Sequence, residues 1–336
     1  LSAGRLKSEV STATVNLGGH AVDASDIKKV LAAGAKQALD AERELLHSLA
    51  VGFALDAERG VRDPRGMVGE TLGVDMHVLT ADAAPIRNLE LCINRAHLSV
   101  ERMVATPYAS GLAALVDDEA ELGAACIDMG GGTTTLSVFA EGKFVHAESI
   151  PVGGHHVTLD LARGLSTSVE VAERFKVMHG SALASTADER DIVNVPSVGS
   201  GDGDEPLQVP RAVMTRIIRA RVEETLELVR ERLGRSGYGS TIGKRVVLTG
   251  GASQLVGLPE AARRILGRSV RIGRPLGVAG LPEAAKGPAF AAVAGLMIYP
   301  QVASFENSRV SKFMGMRATG TGGRFLRMGQ WLRDSF

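Results

Sequence analysis

Cysteine and aromatic residues are scarce in this chain. Only two cysteines occur among its 336 residues, Cys92 and Cys126, and each stands in an apolar run. Two isolated thiols of this kind are typical of small core residues in a reducing compartment and do not predict a disulfide framework. Aromatic residues make up 4% of the chain while hydrophobic residues reach 45%, so we expect a mainly aliphatic core.

The chain also lacks a charge excess and several well-known binding patterns. Lys plus Arg and Asp plus Glu both number 38, which argues against a nucleic-acid-binding protein. No apolar run reaches the roughly 18 residues of a membrane-spanning helix. The eight histidines form no metal-binding spacing, and both the Walker motif and the Rossmann dinucleotide fingerprint are missing.

A glycine-rich motif is the most informative pattern that is present. Residues 127–139 read Ile-Asp-Met-Gly-Gly-Gly-Thr-Thr-Thr-Leu-Ser-Val-Phe, which predicts a strand, a tight turn and a returning strand. Glycines let backbone N–H groups surround a phosphate, and threonine hydroxyls can donate to the same oxygens. The residues placed to do so are Gly130, Gly131, Gly132, Thr133 and Thr134. Asp128 ends the buried strand and is placed to hold Mg²⁺ through water, although an ordinary glycine hairpin remains the alternative.

A second strand–glycine motif occupies residues 245–257, Arg-Val-Val-Leu-Thr-Gly-Gly-Ala-Ser-Gln-Leu-Val-Gly. Its apolar strand is followed by Gly250 and Gly251 and then by a helix, with Pro259 suited to the first turn. Two such motifs separated by helical sequence predict two loops that close on one nucleotide.

These paired motifs resemble the actin-like ATPase superfamily. Asp128 to Thr133 is similar to its second phosphate motif, and Leu248 to Ala252 to its adenosine motif. Four further stretches resemble the FtsA family of bacterial cell-division proteins within it, namely residues 173–183, 195–199, 270–276 and 331–336. The resemblance covers nearly the whole chain. It implies an α/β protein with an actin-like (ribonuclease H-like) fold and an inserted α+β subdomain.

The resemblance also implies ATP and Mg²⁺ as cofactors, with Gly250, Gly251 and Ala252 beside the adenosine. It places Glu173 and Lys176 over the ribose and adenine, although their spacing is also that of an ordinary surface ion pair on a helix.

Gly153 and Gly154 form another glycine pair, which opens a predicted helix. A glycine pair at a helix start can bind an anion or can simply cap the helix, and the sequence does not decide between the two.

We expect five parts along the chain. They are an inserted α+β subdomain (1–80), the remaining half of the first actin-like subdomain (81–123), the second actin-like subdomain (124–300) with a mostly helical lid at about 166–240, a flexible linker (301–323) and an amphipathic membrane-targeting helix (324–336). Within the second part, Val100 to Ala105 is predicted to be a strand.

Two features limit the expected nucleotide chemistry. The superfamily's first phosphate motif is not found, so we expect an N-terminally truncated member whose ATP binding is weak. Residues 106–111 match the first connecting helix of the superfamily, where related hydrolases carry a Glu or Gln that orients water. Here Thr106 and Tyr108 stand in that region, which predicts ATP binding with little or no hydrolysis and no catalytic residue.

The C-terminal segment has an amphipathic pattern. On a helix, Phe325, Met328, Leu332 and Phe336 form one apolar stripe, flanked by Leu326 and Trp331, with Arg324, Arg327 and Arg333 on the other face or its edges. This pattern predicts a helix that lies on an anionic membrane surface. A protein-docking helix and a disordered tail are the alternatives.

The resemblance implies a protein that assembles with itself at the division septum, on the cytoplasmic face of the cell inner membrane. It would be peripheral there, anchor the FtsZ ring and contact other division proteins. An actin-fold kinase or ATPase and a pilus-assembly ATPase-like protein are the alternative functions.

Overall fold

The computed structural model describes residues 1–2, 4–37, 42–198 and 205–303. The strands are β1 (Lys7–Asn16), β2 (Arg43–Leu55), β3 (Glu58–Val61), β4 (Thr71–Asp82), β5 (Ala124–Met129), β6 (Thr134–Ala140), β7 (Lys143–Ile150), β8 (Ile192–Val195), β9 (Leu207–Pro210), β10 (Arg245–Thr249) and β11 (Ser269–Ile272). The α-helices are α1 (Ala24–Gln37), α2 (Ala83–Arg95), α3 (Thr106–Ala114), α4 (Asp117–Leu122), α5 (Gly154–Gly164), α6 (Val169–His179), α7 (Arg211–Arg235), α8 (Leu258–Leu266) and α9 (Ala291–Val302).

A five-stranded sheet in the order β11-β10-β5-β6-β7 lies at the centre of the described chain. β10 runs parallel to β5 and β11, whereas β5, β6 and β7 are antiparallel. Every residue of β5 and β6 is buried, because helices cover both faces of the sheet. Side chains alternate between the faces, so Ile127 joins the core under α5, α7 and α8, while Cys126 joins the core under α3 and α9.

α3 and α9 cross at backbone contact distance on the second face. A Cβ placed on Gly295 of α9 would lie 1.8 Å from the carbonyl oxygen of Ala109 on α3. A Cβ placed on Gly111 would lie 2.3 Å from the ring of Phe139 on β6. The glycines are therefore what allows α3 to lie between α9 and the sheet.

The inserted subdomain is a four-stranded antiparallel sheet, ordered β1-β4-β2-β3, with α1 on one face. Alternate residues of β4, including Val74, Met76 and Val78, pack under α1. The other face lies against β7, the edge strand of the central sheet. There His77 contacts the carbonyl oxygen of Phe144 at 3.0 Å, and the Ala147 N–H donates to Ser8 at 3.2 Å.

The region predicted as a helical lid contains α6, α7 and a two-stranded ribbon of β8 and β9. The ribbon was not predicted from the sequence, since each strand has only four residues. α7 buries the apolar stripe that includes Met214, Ile218 and Leu226.

Two sequence predictions are wrong in detail. Val100 to Ala105 is not a strand, because its backbone groups bond to residues that are not in a neighbouring strand ladder. The Ala105 N–H donates to the side chain of His47, and the Val104 carbonyl accepts from the amino group of Leu1.

The prediction for the two cysteines is half correct: Cys126 is buried as expected, but Cys92 is exposed. Ile86 is the one buried residue of α2, so most of this apolar helix lies at the surface of the described chain.

The α3–α9 crossing predicts the effect of a single added methyl group. Gly295→Ala should lower the free energy of unfolding by about 1–3 kcal/mol, because the backbone of Ala109 leaves no room for a Cβ. Gly234→Ala is the matched control: it lies in α7, where an added Cβ meets nothing within 4 Å, and should stabilise by roughly 0.5–1 kcal/mol. Urea unfolding of both variants tests this, and equal effects would contradict the close crossing.

Candidate functional site

The first glycine motif lies where parallel strands end. Asp128 on β5 is opposite Thr249 on β10, so both strands reach the same edge of the sheet and continue into the two glycine loops. Strand alternation turns Asp128 toward the same face as Cys126, the face that α3 covers. The sheet thus places one carboxylate between two backbone loops and a helix.

The carboxylate of Asp128 is buried and has few polar partners. Ser110 on α3 donates to one carboxylate oxygen at 2.5 Å. Within the described ranges, no lysine or arginine pairs with this carboxylate. Burial raises the pKa of Asp128, and the hydrogen bond from Ser110 offsets only part of that rise. A bound cation would therefore supply the charge that the surrounding side chains do not.

The loop of residues 130–132 is braced by the start of α5. The N–H groups of Gly154 and His155 donate to the carbonyl oxygens of Gly130 and Gly131 at 2.9 and 2.8 Å. A Cβ on Gly153 would lie 2.6 Å from both carbonyl oxygens. These amides are already engaged, which favours a capping and packing role for this glycine pair over a separate anion site.

The middle of the loop faces open space. A Cβ on Gly131 or Gly132 would meet no atom within 4 Å. Their N–H groups donate to no acceptor within the described part of the chain. Free backbone donors beside a carboxylate can hold a phosphate and its cation together.

The second glycine loop closes directly on the first. Gly250 has φ of +85°, and a Cβ there would lie 2.2 Å from the Asp128 carboxylate. A Cβ on Gly154 would lie 2.9 Å from the Cβ of Ala252. Only glycine fits at position 250, since both its backbone angle and its neighbour exclude a side chain.

Glu173 and Lys176 join α6 to the same group of loops. Lys176 donates to Glu173 at 2.7 Å, to Thr158 at 2.8 Å and to the Gly154 carbonyl at 3.1 Å, and Thr158 also donates to Glu173. Burial opposes ionisation of Glu173, but the hydrogen bonds from Lys176 and Thr158 outweigh it and hold its pKa below the usual value. The pair thus fixes α6 beside the glycine loops.

The structure brings most of the predicted binding residues into one contiguous group. They are Asp128, Gly130, Gly131, Gly132, Thr133, Gly153, Gly154, Glu173, Lys176, Gly250, Gly251 and Ala252. Thr134 differs, because its buried hydroxyl donates to the carbonyl of Val152 at 2.8 Å and is not free for a ligand.

Two contacts were missed from the sequence, those of Ser110 and Thr158. No local motif marks either residue, although Ser110 lies in the helix already matched to the first connecting helix.

The predicted membrane-contacting residues lie outside the described residues. They are Arg324, Phe325, Leu326, Arg327, Met328, Trp331, Leu332, Arg333 and Phe336.

Glu119 is a second buried carboxyl on the sheet face that α3 covers, and unlike Asp128 it is paired with an arginine. Glu119 on α4 receives hydrogen bonds from the Arg271 guanidinium on β11 and from the Val116 N–H. Burial opposes its ionisation, yet these donors outweigh burial and keep the pKa of Glu119 below its usual value. Glu119 therefore has the cationic partner that Asp128 lacks.

These two carboxyls should respond oppositely to neutralisation. The folded pKa of Asp128 is raised, so its contribution favours folding at acidic pH and is lost as the pH rises through that pKa. Asp128→Asn should thus raise the free energy of unfolding near neutral pH, with the gain shrinking on acidification. Glu119→Gln should lower it by roughly 1–3 kcal/mol near neutral pH, and that loss should shrink as the pH falls through the lowered pKa of Glu119.

Denaturant unfolding at about pH 7.5 and about pH 4.5 tests Asp128→Asn, and a further measurement at about pH 3 tests Glu119→Gln, because the folded pKa of Glu119 lies below its usual value. A destabilising Asp128→Asn at the higher pH would mean that Asp128 is a structural residue and would remove the argument that it holds a bound cation.

Comparison with known proteins identifies the family to which the chain is similar. A family model described as Cell division protein FtsA matches residues 125–295, and one described as SHS2 domain inserted in FTSA matches residues 3–80. Cell division protein FtsA of Rhizobium meliloti (strain 1021) is 67% identical over 337 residues, a match that covers 100% of this chain and 76% of that protein.

Solved structures share the fold at low sequence identity. MreB5 of Spiroplasma citri bound to ADP aligns with a TM-score of 0.54 and 18% identity, covering 66% of this chain and 67% of that one. The PilM-PilN type IV pilus biogenesis complex aligns with a TM-score of 0.57 and 17% identity, covering 87% and 76%. The predicted actin-like fold with an inserted subdomain is confirmed. With identity this high over its whole length, the chain belongs to the FtsA family of cell-division proteins.

Proposed function

We propose that this protein assembles with itself at the division septum and anchors the FtsZ ring to the cytoplasmic face of the inner membrane, with ATP and Mg²⁺ gating assembly. The observation that carries the proposal is the convergence of two glycine loops on Asp128 in a chain of the FtsA family. Identity of 67% along the whole chain favours this function over an actin-fold kinase or a pilus-assembly ATPase-like protein.

The site residues fit a magnesium nucleotide. The free N–H groups of Gly131 and Gly132 would receive phosphate oxygens, and Asp128 would hold the hydrated cation. Gly250, Gly251 and Ala252 would lie along the adenosine, with Glu173 and Lys176 at its outer side. Bound Mg²⁺ supplies the positive charge that offsets both the phosphates and the buried carboxylate. The ADP bound to the MreB5 neighbour is consistent with a nucleotide in this fold.

Slow hydrolysis follows from the helix that faces the site. α3 reads Thr-Pro-Tyr-Ala-Ser-Gly-Leu-Ala-Ala and contains no carboxylate or amide to orient an attacking water. Its one hydroxyl near the cation position, Ser110, is engaged with Asp128. The nucleotide would therefore act mainly as a switch that holds the loops together.

Membrane attachment rests on the sequence of residues 324–336. None of the helices in the described ranges has both the length and the apolar character needed to cross a bilayer. An amphipathic segment would attach the protein by burying large apolar side chains at about 1.5–3 kcal/mol each, helped by about 1 kcal/mol for each arginine near anionic lipid.

Nucleotide binding can be tested by hydrogen–deuterium exchange. At millimolar MgATP, exchange should slow in residues 128–133, because phosphate would occupy the free N–H groups of Gly131 and Gly132, and in residues 250–254, because adenosine would cover that loop. At this concentration even a dissociation constant of about 1 mM would give measurable occupancy. ATP with EDTA, and MgATP with Asp128→Asn, should give no protection. Equal protection in Asp128→Asn would place the nucleotide elsewhere.

Anchoring can be tested by floating vesicles that contain anionic lipid with this protein and purified FtsZ. FtsZ should float only when the protein is present, and Trp331→Glu should abolish flotation of both, because a carboxylate at that position opposes insertion. Trp331→Phe is the matched control and should retain flotation. If Trp331→Glu floats as well as the unaltered chain, the C-terminal segment is a protein-docking element and the anchoring proposal fails.

A further inference from the structure

His47 accepts a hydrogen bond from a residue outside its own subdomain. It lies on β2 in the inserted sheet, and its Nε2 accepts a hydrogen bond from the backbone N–H of Ala105 at 2.9 Å. The imidazole is buried, with 1% of the residue exposed. Because Nε2 accepts, the ring carries its hydrogen on Nδ1. A side chain of the inserted subdomain therefore holds a backbone group of the actin-like body.

Aromatic rings fix the position of this imidazole. Its ring centroid lies 4.9 Å from that of Tyr108 on α3, 5.7 Å from Tyr299 on α9 and 6.4 Å from Phe144 on β7, all edge to face. His47 therefore contacts both crossing helices and the sheet edge at once. A ring surrounded in this way cannot rotate without moving its neighbours.

Ala105 is the residue at which α3 begins. It is the N-cap of the helix, and no side chain caps that end. The imidazole is thus a side-chain acceptor at this end of the helix, next to the Leu1 carbonyl oxygen, which accepts from the Thr106 N–H at 2.9 Å. An unanchored helix start frays, because its N–H groups lack intrahelical acceptors.

Beyond Ala105, α3 is packed closely on two sides. Ala109 is in backbone contact with Gly295, and Gly111 lies against Phe139, so the helix has little freedom to bend. Ser110 lies between these two contacts and donates to Asp128. A shift at the start of α3 therefore changes the distance between the Ser110 hydroxyl and the Asp128 carboxylate.

We propose that His47 is a positioning residue that ties the inserted subdomain to the start of α3 and so holds Ser110 against Asp128. The structural link stands on these contacts alone. Its consequence for regulation rests on the proposed function: the occupancy of the nucleotide site and the seating of the inserted subdomain would influence one another through α3. Displacing the subdomain would loosen the cation-binding carboxylate.

His77 provides a matched control within the same sheet. It lies on β4, the strand next to β2, is fully buried and contacts the same ring of Phe144. Its Nδ1 donates to the Phe144 carbonyl, and its Nε2 lies 2.7 Å from the hydroxyl of Ser8. Burial lowers the pKa of His77 to about 3, so this ring is neutral. Its hydrogen bonds go to β7 and β1, not to α3.

The test compares His47→Phe with His77→Phe by hydrogen–deuterium exchange in the absence of nucleotide. His47→Phe keeps an aromatic ring but removes the acceptor, so exchange should rise about tenfold in residues 105–114 and in 128–133. His77→Phe should raise exchange in residues 143–150 and leave 128–133 unchanged. His47→Gln, whose amide oxygen can accept from Ala105, should restore slow exchange.

The outcomes separate this proposal from general destabilisation. Unchanged exchange at 128–133 in a folded His47→Phe, or the same increase in both Phe variants, would overturn it. If His47→Phe does not fold, the proposal depends on His47→Gln, which must then show exchange like the unaltered chain at 105–114, and faster exchange there would overturn it. MgATP can be added as a second arm: loss of protection in His47→Phe alone supports the regulatory consequence.

A failure of MgATP to protect any chain would remove the proposed nucleotide function but leave the exchange comparison intact. The two proposals can therefore fail independently.

Discussion

The site depends on backbone segments that approach more closely than any side chain would allow. The crossing of α3 and α9 at Gly295 brings α3 down onto the central sheet, and Gly250 brings the second loop against the carboxylate of Asp128. Gly153 does the same for α5 against the first loop. At each of these positions a methyl group would collide with its neighbours. The positions of α3 and of the two loops around Asp128 therefore depend on glycine.

This close packing explains why a carboxylate is buried without a cation. Once α3 lies on the sheet, the side chain of Asp128 points into the gap between them, where Ser110 is the side chain that donates to it, and no lysine or arginine of the described residues pairs with it. Glu119, at the far end of α3, has room for Arg271 and is paired. The contrast is typical of functional sites, where an unfavourable local arrangement is retained because a ligand completes it.

The sequence predicted the parts of this site that depend on local pattern. Strand, glycine run and returning strand at residues 127–139 are visible in any window of that length, because the turn needs glycine and the strands need apolar residues. What it could not predict depends on tertiary contact. The hydroxyl of Thr134 is taken by Val152, and Ser110 meets Asp128, through packing between elements distant in sequence. Cys92 is exposed for a related reason: it lies in an apolar stretch of α2, but Ile86 is the one buried residue of that helix.

Within the described ranges, no strand of the inserted sheet pairs with the central sheet, and the contacts with β7 use side chains. Its sheet crosses the edge of β7, and the backbone groups exposed there are met by single side chains: His77 at the Phe144 carbonyl and Ser8 at the Ala147 N–H. Lys143 reaches back to the carbonyl of Val51. A continuous ladder would fix the two sheets in one register, because shifting it breaks every hydrogen bond together. Isolated side-chain contacts can be exchanged one at a time.

A joint of that kind tolerates small reorientation as long as the buried rings between the two sheets keep their contacts. His47 and Leu1 differ from these contacts, because their hydrogen bonds end at the start of α3 and not on the sheet edge. Movement of the subdomain along β7 would break these polar contacts and disturb the buried apolar cluster that holds Leu46, Leu79 and Phe144. Movement at His47 would in addition displace the start of the helix that carries Ser110, so this part of the attachment is the one that reaches the site.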